Sequence, residues 1–140
     1  MRYIGLDYGS KTIGISVSDE SLLVASGVTT IRYENIVDAL KQLESVIDEF
    51  KPVKIILGNP LNLDGSESIR STLTKEFMDI LVDRFKLPVI LQDERLSTVS
   101  VHKLLIDNNT RRKKRKKVVD KLASVIILQS YLDKENYEKR

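Results

Sequence analysis

The sequence predicts an α/β domain built on a mixed five-stranded sheet, three antiparallel strands and then two parallel ones, with helices on both faces. Two observations carry this prediction. Three strand-like segments joined by short turns open the chain, and short apolar segments separated by helical patterns follow them. Because crossovers between parallel strands are right-handed, the later strands are expected to join the first three in one sheet. The length of 140 residues suits one domain, residues 1–140.

The first three segments are predicted to form an antiparallel meander. In the first, strict alternation places Gly5 and Asp7 on the face opposite Leu6, and Gly9-Ser10 fits a two-residue hairpin turn. The second alternates apolar residues with small polar ones, and Gly27 is a candidate bulge in the third. The predicted strands are Tyr3–Tyr8, Thr12–Ser18 and about Leu22–Tyr33.

Helical patterns alternate with short strands in the rest of the chain. Asn35 is a candidate N-cap of the first helix, which Lys51-Pro52 ends, and Gly58-Asn59-Pro60 closes the strand after it. The apolar stripes are Ile36, Leu40, Leu43, Ile47 and Phe50 in the first helix and Ile69, Leu73, Phe77, Ile80 and Leu81 in the second. Strands are predicted at Val53–Leu57 and Leu87–Leu91, a short helix from Ser97 or Thr98 through Leu105, and a last helix at about Lys117–Leu132. This order of elements is that of a ribonuclease H-like domain.

The positive charge of the chain is concentrated in one segment. The net charge is +3, but without residues 111–117 the 16 remaining basic residues face 20 acidic ones, which gives a net charge of −4. A block of this kind either contacts a polyanion or stays solvated, and on nucleic acid it would neutralise phosphates. We interpret it as a nucleic-acid-binding segment because it directly precedes a helix with an acidic residue. Its members are Arg111, Arg112, Lys113, Lys114, Arg115, Lys116 and Lys117.

Composition excludes several classes of site and location. The chain has no cysteine, so disulfides, zinc–thiolate sites and a thiol nucleophile are excluded. It contains no apolar run of the length that spans a bilayer, and the residues after Met1 lack the apolar segment of a signal peptide. We therefore expect a cytoplasmic protein without a membrane partner.

Two candidate metal-binding positions lie at strand ends. Asp7 is near the end of the first strand between two glycines, and these small neighbours leave room for an ion, although an aspartate there also caps a turn. Asp93 and Glu94 follow a continuously apolar strand, at the edge where α/β sheets bind ligands. Periodicity does not choose between these two residues, and a salt bridge with Arg95 is the alternative role for both.

The third candidate, Asp120, lies in the first turns of the last helix. That helix is apolar almost all round and is predicted to be buried against the sheet. Ala123 and Ser124 follow on the same face and leave room for an ion or water, whereas interaction with the helix N-terminus is the alternative. Converging carboxylates of this kind are ligands for Mg²⁺ or Mn²⁺, and two such ions stabilise the transition state of phosphodiester hydrolysis.

Four blocks of the chain resemble the motifs of the YqgF/RuvX family. The blocks occur in the family's order and at its length, so the similarity covers essentially the whole chain. The family consists of pre-16S rRNA nucleases that are similar to Holliday-junction resolvases. The blocks are Gly5–Gly14 with Ser16–Asp19, Gly58–Ser66, Asp93–Thr98, and Asp120–Ser124 with Ile126–Leu132.

The resemblance implies a ribonuclease H-like fold and a cytoplasmic hydrolase that cuts phosphodiester bonds in maturing the 5′ end of 16S ribosomal RNA. It implies Mg²⁺ or Mn²⁺ as cofactor, and RNA and ribosomal precursor particles as partners. It assigns the catalytic and metal-binding roles to Asp7, Glu94 and Asp120, and thereby chooses Glu94 over Asp93.

Other positions of the blocks are less specific. Lys11 is a candidate phosphate contact, and an exposed hairpin lysine is an equally good interpretation; Arg95 is a weaker candidate for the same role. Asn59 stands where the family usually has an apolar residue, and Ser124 where a second alanine is commoner. Neither departure removes a carboxylate.

Three alternatives stay open. The pattern Asp-x-Gly-x-x-x-x-Gly from Asp7 to Gly14 also resembles the phosphate hairpin of actin-like ATPases and sugar kinases, which close two such domains around a nucleotide. A non-catalytic RNA-binding or ribosome-assembly module would need the basic segment alone. A Holliday-junction-type DNA resolvase would favour a symmetric dimer. No dimer face is evident in the sequence, so RNA is the favoured substrate, and the chain is expected to be a monomer or a homodimer.

Overall fold

A computed structural model describes residues 1–62, 64–94 and 112–139, and the side chains of the last range from position 121 onward. The strands are β1 (Tyr3–Tyr8), β2 (Thr12–Ser18), β3 (Ala25–Arg32), β4 (Lys54–Asn59) and β5 (Val89–Asp93). They form one sheet in the order β3-β2-β1-β4-β5, in which β1, β2 and β3 are antiparallel and β4 and β5 run parallel to β1, as predicted. The short helix predicted from Ser97 or Thr98 through Leu105 lies outside the described residues.

Helices cover both faces of the sheet. Helices α1 (Ile36–Phe50) and α2 (Ile69–Phe85) pack on one face, and α3 (Arg112–Glu138) packs on the other. The larger buried cluster includes Ile4, Leu6, Ile13, Ile15, Ile55 and Leu57 of the strands with Leu43, Phe77 and Leu81 of the helices. The smaller cluster includes Tyr3 and Ile56 of the strands with Ile127, Leu128 and Leu132 of α3. The predicted mixed five-stranded sheet with helices on both faces is confirmed. Among the described residues, no helix combines the length and apolarity needed to cross a membrane.

The β1–β2 turn lies one residue later than predicted, and the bulge in β3 is confirmed. The Gly9 N–H donates to the Thr12 carbonyl at 2.8 Å, so the two connecting residues are Ser10-Lys11 and not Gly9-Ser10. The register between β2 and β3 shifts where Ser16 pairs with Gly27, which leaves one extra residue in β3.

Strand boundaries differ from the predicted ones where pairing or a local turn overrides the hydrophobic pattern. β3 begins at Ala25 and not at Leu22, because the Asp19 carboxylate accepts two backbone N–H groups and holds the intervening residues in a turn. β4 and β5 each continue two residues further than predicted, since their parallel pairing extends to Asn59 and Asp93.

The ends of α1 follow the sequence, whereas α3 begins earlier than predicted. The Asn35 side chain accepts the Asp38 backbone N–H at 2.9 Å, and Lys51 ends the helix in the left-handed conformation with φ 48°. α3 begins at Arg112 and not at Lys117, so the backbone of most of the basic segment is helical.

The predicted apolar stripe of α2 is wrong in part. Phe77 and Leu81 are buried, but Ile69 is 84% exposed, and Leu73 and Ile80 also belong to the exposed residues. Ser71 and Thr74 occupy buried positions instead. The reason lies in a buried hydrogen bond, in which Ser71 Oγ donates to Asn59 Oδ1 at 2.7 Å. This bond fixes the rotation of α2 relative to the end of β4.

A partly buried polar cluster fixes the C-terminal part of α3 to the sheet. Lys54 Nζ lies 3.4 Å from Glu135 Oε2 and donates to Tyr131 Oη at 2.9 Å. Tyr3 Oη donates to Glu135 Oε1 at 2.7 Å. Burial acts to raise the pKa of Glu135, but the hydrogen bonds with Tyr3 and Tyr131 and the charge of Lys54 hold it below its ordinary value.

Replacing Glu135 with glutamine is expected to lower the free energy of unfolding at pH 7 by about 1 kcal/mol, because a charged hydrogen-bond acceptor is lost. A lowered pKa means that this contribution is present above the unfolded value of about 4.3 and is lost as the pH falls below it. Urea midpoints of the wild type and Glu135→Gln should therefore differ at pH 7 and converge toward pH 3. The exposed Glu138 provides the control, since Glu138→Gln should match the wild type at pH 7. A difference that persists at pH 3 would contradict the assigned cause.

Candidate active site

Three parallel strands end at the same edge of the sheet and place two of the predicted carboxylates there. Asp7 lies near the carboxyl end of β1, and Glu94 directly follows β5. β4 lies between these strands, with Leu57 paired to Leu6 of β1. The Glu94 backbone N–H donates to the Asn59 carbonyl at 3.3 Å, which continues the β4–β5 pairing past the last strand residue. This edge is where open α/β sheets bind their ligands.

Alternation along the strands puts Asp7 and Glu94 on the face covered by α3. Tyr3 of β1 and Ile90 of β5 pack in the α3 cluster, and Asp7 and Glu94 each lie four residues further along, on the same side. Asp93 belongs to the opposite face and is exposed. The structure therefore places Asp93 and Glu94 on opposite faces of the sheet, a distinction that periodicity in the sequence does not make.

Gly58 of β4 leaves the space that the Glu94 carboxyl group occupies. A Cβ atom at position 58 would lie 2.7 Å from Glu94 Oε2 and 2.4 Å from Ile127 Cδ1. Glu94 Oε2 is buried, although the residue as a whole is only half-buried. A side chain at position 58 would therefore displace the Glu94 carboxyl group and the end of the Ile127 side chain.

The carboxyl groups of Asp7 and Glu94 are close enough to share a hydrogen bond and to repel each other. Burial, the negative charge of Asp7 and the hydrogen bond with Asp7 raise the pKa of Glu94 far above its ordinary value, whereas the charge of Arg70 acts in the opposite direction. Two carboxyl groups in such contact retain a proton or require a cation between them. Oxygen ligands of this kind suit a hard divalent cation, so the pair fits a metal site.

α3 approaches the sheet closely beside this pair. Ser16 Oγ donates to the Ser124 carbonyl at 2.8 Å, and a Cβ atom on Gly5 would lie 2.8 Å from Leu128 Cβ. Position 120 precedes Ser124 by one turn in this helix, so the backbone of the third predicted acidic residue, Asp120, belongs to the element that packs on the Asp7 face. Among the side chains that the structure describes, no group of three acidic or histidine residues is assembled.

The structure describes only some of the other predicted binding residues. Lys11 is exposed in the β1–β2 turn. Arg95 and Arg111 lie outside the described residues, and for positions 112–117 the structure describes the helical backbone. The proposed contacts of these residues with phosphates stay predictions.

Sequence reasoning missed Arg70, in the first turn of α2. Its Nη2 donates to the Tyr8 carbonyl at 2.8 Å, and its Cζ lies 5.1 Å from the centroid of the Tyr8 ring. Its charge also acts on Glu94. The pattern of α2 gave no sign of this, because the placement of Arg70 depends on the helix rotation that Ser71 fixes. The available signal was its position at the start of the helix that follows β4.

Comparison with known proteins identifies relatives over nearly the full chain. The family RuvX, described as Holliday junction resolvase, matches residues 1–134. A protein of Geobacillus sp. (strain WCH70) is 47% identical over 135 residues, covering 95% of this chain and 98% of the relative. A protein of Clostridium tetani (strain Massachusetts / E88) is 44% identical over 133 residues, covering 95% of this chain and 96% of the relative. Both carry the name "Putative pre-16S rRNA nuclease".

Solved structures share the fold at low sequence identity. RuvC of T. thermophilus, in complex with a Holliday junction substrate, superimposes with a TM-score of 0.56 at 13% identity and covers 94% of each chain. The Fowlpox virus resolvase, in complex with substrate Holliday junction DNA, gives a TM-score of 0.57 at 11% identity, with 96% of this chain and 98% of the resolvase covered. At this identity the likeness concerns the fold alone.

Proposed function

This chain belongs to the RuvX family, and from that premise we propose that it is a divalent-metal-dependent nuclease that processes the 5′ end of precursor 16S rRNA in the cytoplasm. The observation that carries the proposal is the contact between the Asp7 and Glu94 carboxyl groups at the carboxyl ends of β1 and β5. Two carboxyl groups in contact must retain a proton or hold a cation, and this pair lies where α/β sheets bind substrates.

The proposed metal ligands are Asp7, Glu94 and Asp120. Bound Mg²⁺ or Mn²⁺ supplies the activation of water at neutral pH and the offset of negative charge that phosphodiester hydrolysis needs. The strand ends hold the first two carboxylates in place, and Gly58 leaves the space for the second. The close approach of α3 at Ser124 supports the assignment of Asp120, which belongs to the same helix.

Two observations support RNA as the substrate. The curated relatives that cover 95% of the chain carry names that refer to pre-16S rRNA. The basic segment, residues 111–117, belongs in large part to the start of α3, close in sequence to Asp120. We propose that its side chains neutralise phosphates of the RNA, so binding should weaken steeply with salt.

The test compares two substrates with one protein. Purified wild type is incubated with an RNA that spans the 5′ processing site of 16S rRNA and with a four-way DNA junction, first with Mg²⁺ or Mn²⁺ and then with chelator. We expect metal-dependent cleavage of the RNA and a lower rate on the junction. Cleavage that survives the chelator would refute the metal site, and preferential cutting of the junction would refute the choice of substrate. RNA binding without any cleavage would instead support a non-catalytic assembly module.

A further inference from the structure

Arg70 reaches the carboxylate edge of the sheet from the opposite face. It belongs to α2, which packs away from α3, but its Nη2 donates to the carbonyl of Tyr8, the residue directly after Asp7. Its charge acts on both Glu94 and Tyr33, so the guanidinium lies within electrostatic range of the carboxyl pair and of the aromatic residues at the end of β1. The positively charged Arg70 of α2 thus lies near two carboxyl groups that face α3.

The guanidinium is held in one orientation and keeps donors for a ligand. Its Cζ lies 5.1 Å from the centroid of the Tyr8 ring, and that ring stacks on Phe77 with centroids 4.0 Å apart. Ser71, the next residue, is anchored to Asn59 by the buried hydrogen bond of 2.7 Å. Of the five N–H groups of an arginine side chain, the bond to Tyr8 occupies one as far as the described residues are concerned, and Arg70 itself is half-buried.

A nucleic acid strand that crosses this edge would bring several phosphates near the site, and a planar guanidinium matches a phosphate better than an ammonium group does. We propose that Arg70 forms a phosphate-binding subsite beside the carboxyl pair, where it takes a backbone phosphate next to the linkage that is cut. The inference rests on the proposed nuclease function, and it adds a substrate-binding residue from the face of the sheet opposite α3.

The test uses RNA in which one linkage at a time is an uncharged methylphosphonate. Binding is measured by fluorescence anisotropy with Ca²⁺ in place of Mg²⁺. Wild type should lose roughly tenfold in affinity when one particular linkage is neutralised, since a charge-assisted hydrogen bond is lost. Arg70→Gln should show this loss on unmodified RNA and should no longer respond to that linkage. An Arg70→Gln protein that binds like the wild type, or that still responds to the same linkage, overturns the proposal.

Arg84 of the same helix provides a matched control. It also lies over an aromatic ring, with its Cζ 5.9 Å from the Phe85 centroid, but it pairs with Glu44 at the other end of α2. Arg84→Gln should bind RNA like the wild type. Equal losses in the two variants would indicate a general effect of positive charge and would overturn the subsite.

Two further measurements separate phosphate binding from support of the carboxyl pair. Arg70→Gln should bind Mn²⁺ at least as tightly as the wild type, because a nearby positive charge is removed; weaker Mn²⁺ binding would mean that Arg70 orients the carboxylates instead. If Arg70→Gln does not fold, Arg70→Lys keeps the charge beside Glu94, and it should bind RNA more weakly than the wild type. Wild-type affinity in Arg70→Lys would overturn the proposal.

The anisotropy measurement needs no cleavage. A wild type that cuts no RNA would therefore refute the nuclease function, while the binding measurements would still decide the role of Arg70.

Discussion

Asp7→Asn is expected to reduce metal-dependent cleavage of RNA by roughly 1,000-fold or more, because it removes half of the carboxyl pair that would hold the metal ion. The amide keeps the size of the side chain but loses its negative charge. Single-turnover rates at saturating Mn²⁺ measure the effect on the chemical step. Cleavage at the wild-type rate would remove Asp7 from the proposed metal site.

The same substitution should not lower the stability of the metal-free protein. In the wild type, burial and the Asp7 charge hold a proton on Glu94 that the unfolded chain would release at neutral pH, which costs stability, and an amide at position 7 removes the part of this cost that comes from the charge. The wild type should gain in melting temperature as Mn²⁺ is added, since a ligand that binds the folded state stabilises it. Asp7→Asn should begin at an equal or higher melting temperature and gain less from the ion.

Asp93→Asn is the matched control for this experiment. Asp93 lies at the same strand end but is exposed and belongs to the opposite face of β5. The variant should keep both the cleavage rate and the Mn²⁺-dependent gain in melting temperature. If Asp93→Asn loses them as Asp7→Asn does, the assignment of the metal site to the α3 face is wrong.

The sequence predicts the position of Asp7 better than the position of Glu94. Strict alternation in the first strand was enough to place Asp7 opposite Leu6, because that strand has one clear apolar face. The last strand is apolar on both faces, so its pattern does not show on which face of the sheet Glu94 lies. That face depends on how far the pairing with β4 continues the strand. That pairing is a long-range property, and it extends β5 to Asp93, two residues beyond the predicted end.

The rotation of α2 was the larger failure of sequence reasoning. Spacing of apolar residues favoured burial of Ile69, which is 84% exposed. The buried bond between Ser71 and Asn59 works against the pattern, because turning α2 to bury Ile69 would leave the buried Asn59 amide without this partner, at a cost of about 1–3 kcal/mol. The same rotation brings Arg70 to Tyr8. Polar contacts between elements distant in sequence thus decide the part of the site that periodicity does not reach.

Gly5→Ala is expected to impair both stability and cleavage, because this glycine sets how closely α3 approaches β1. A Cβ atom there would lie 2.4 Å from Ser16 Oγ, 2.8 Å from Leu128 Cβ and 3.0 Å from the Ser124 carbonyl oxygen. Two of these neighbours are fixed to the helix backbone, so α3 itself must move outward. We expect a loss of about 1–3 kcal/mol in the free energy of unfolding, measured from urea midpoints.

Cleavage should fall further than the loss of stability explains, roughly tenfold or more at a temperature where the variant is fully folded, since small displacements of catalytic groups are costly. The reason is that α3 carries Asp120, one turn before Ser124. Gly27→Ala on β3 is the control, because its Cβ would meet the Lys121 side chain, 2.5 Å from Cε and 2.8 Å from Cγ, and a change of rotamer moves this exposed side chain away without moving the helix backbone. Equal losses of cleavage in the two variants would show that the effect comes from replacing a strand glycine and not from how closely α3 packs on β1. A Gly5→Ala protein that is destabilised but cleaves normally would mean that the site tolerates movement of α3, and Asp120 would lose its place among the proposed metal ligands.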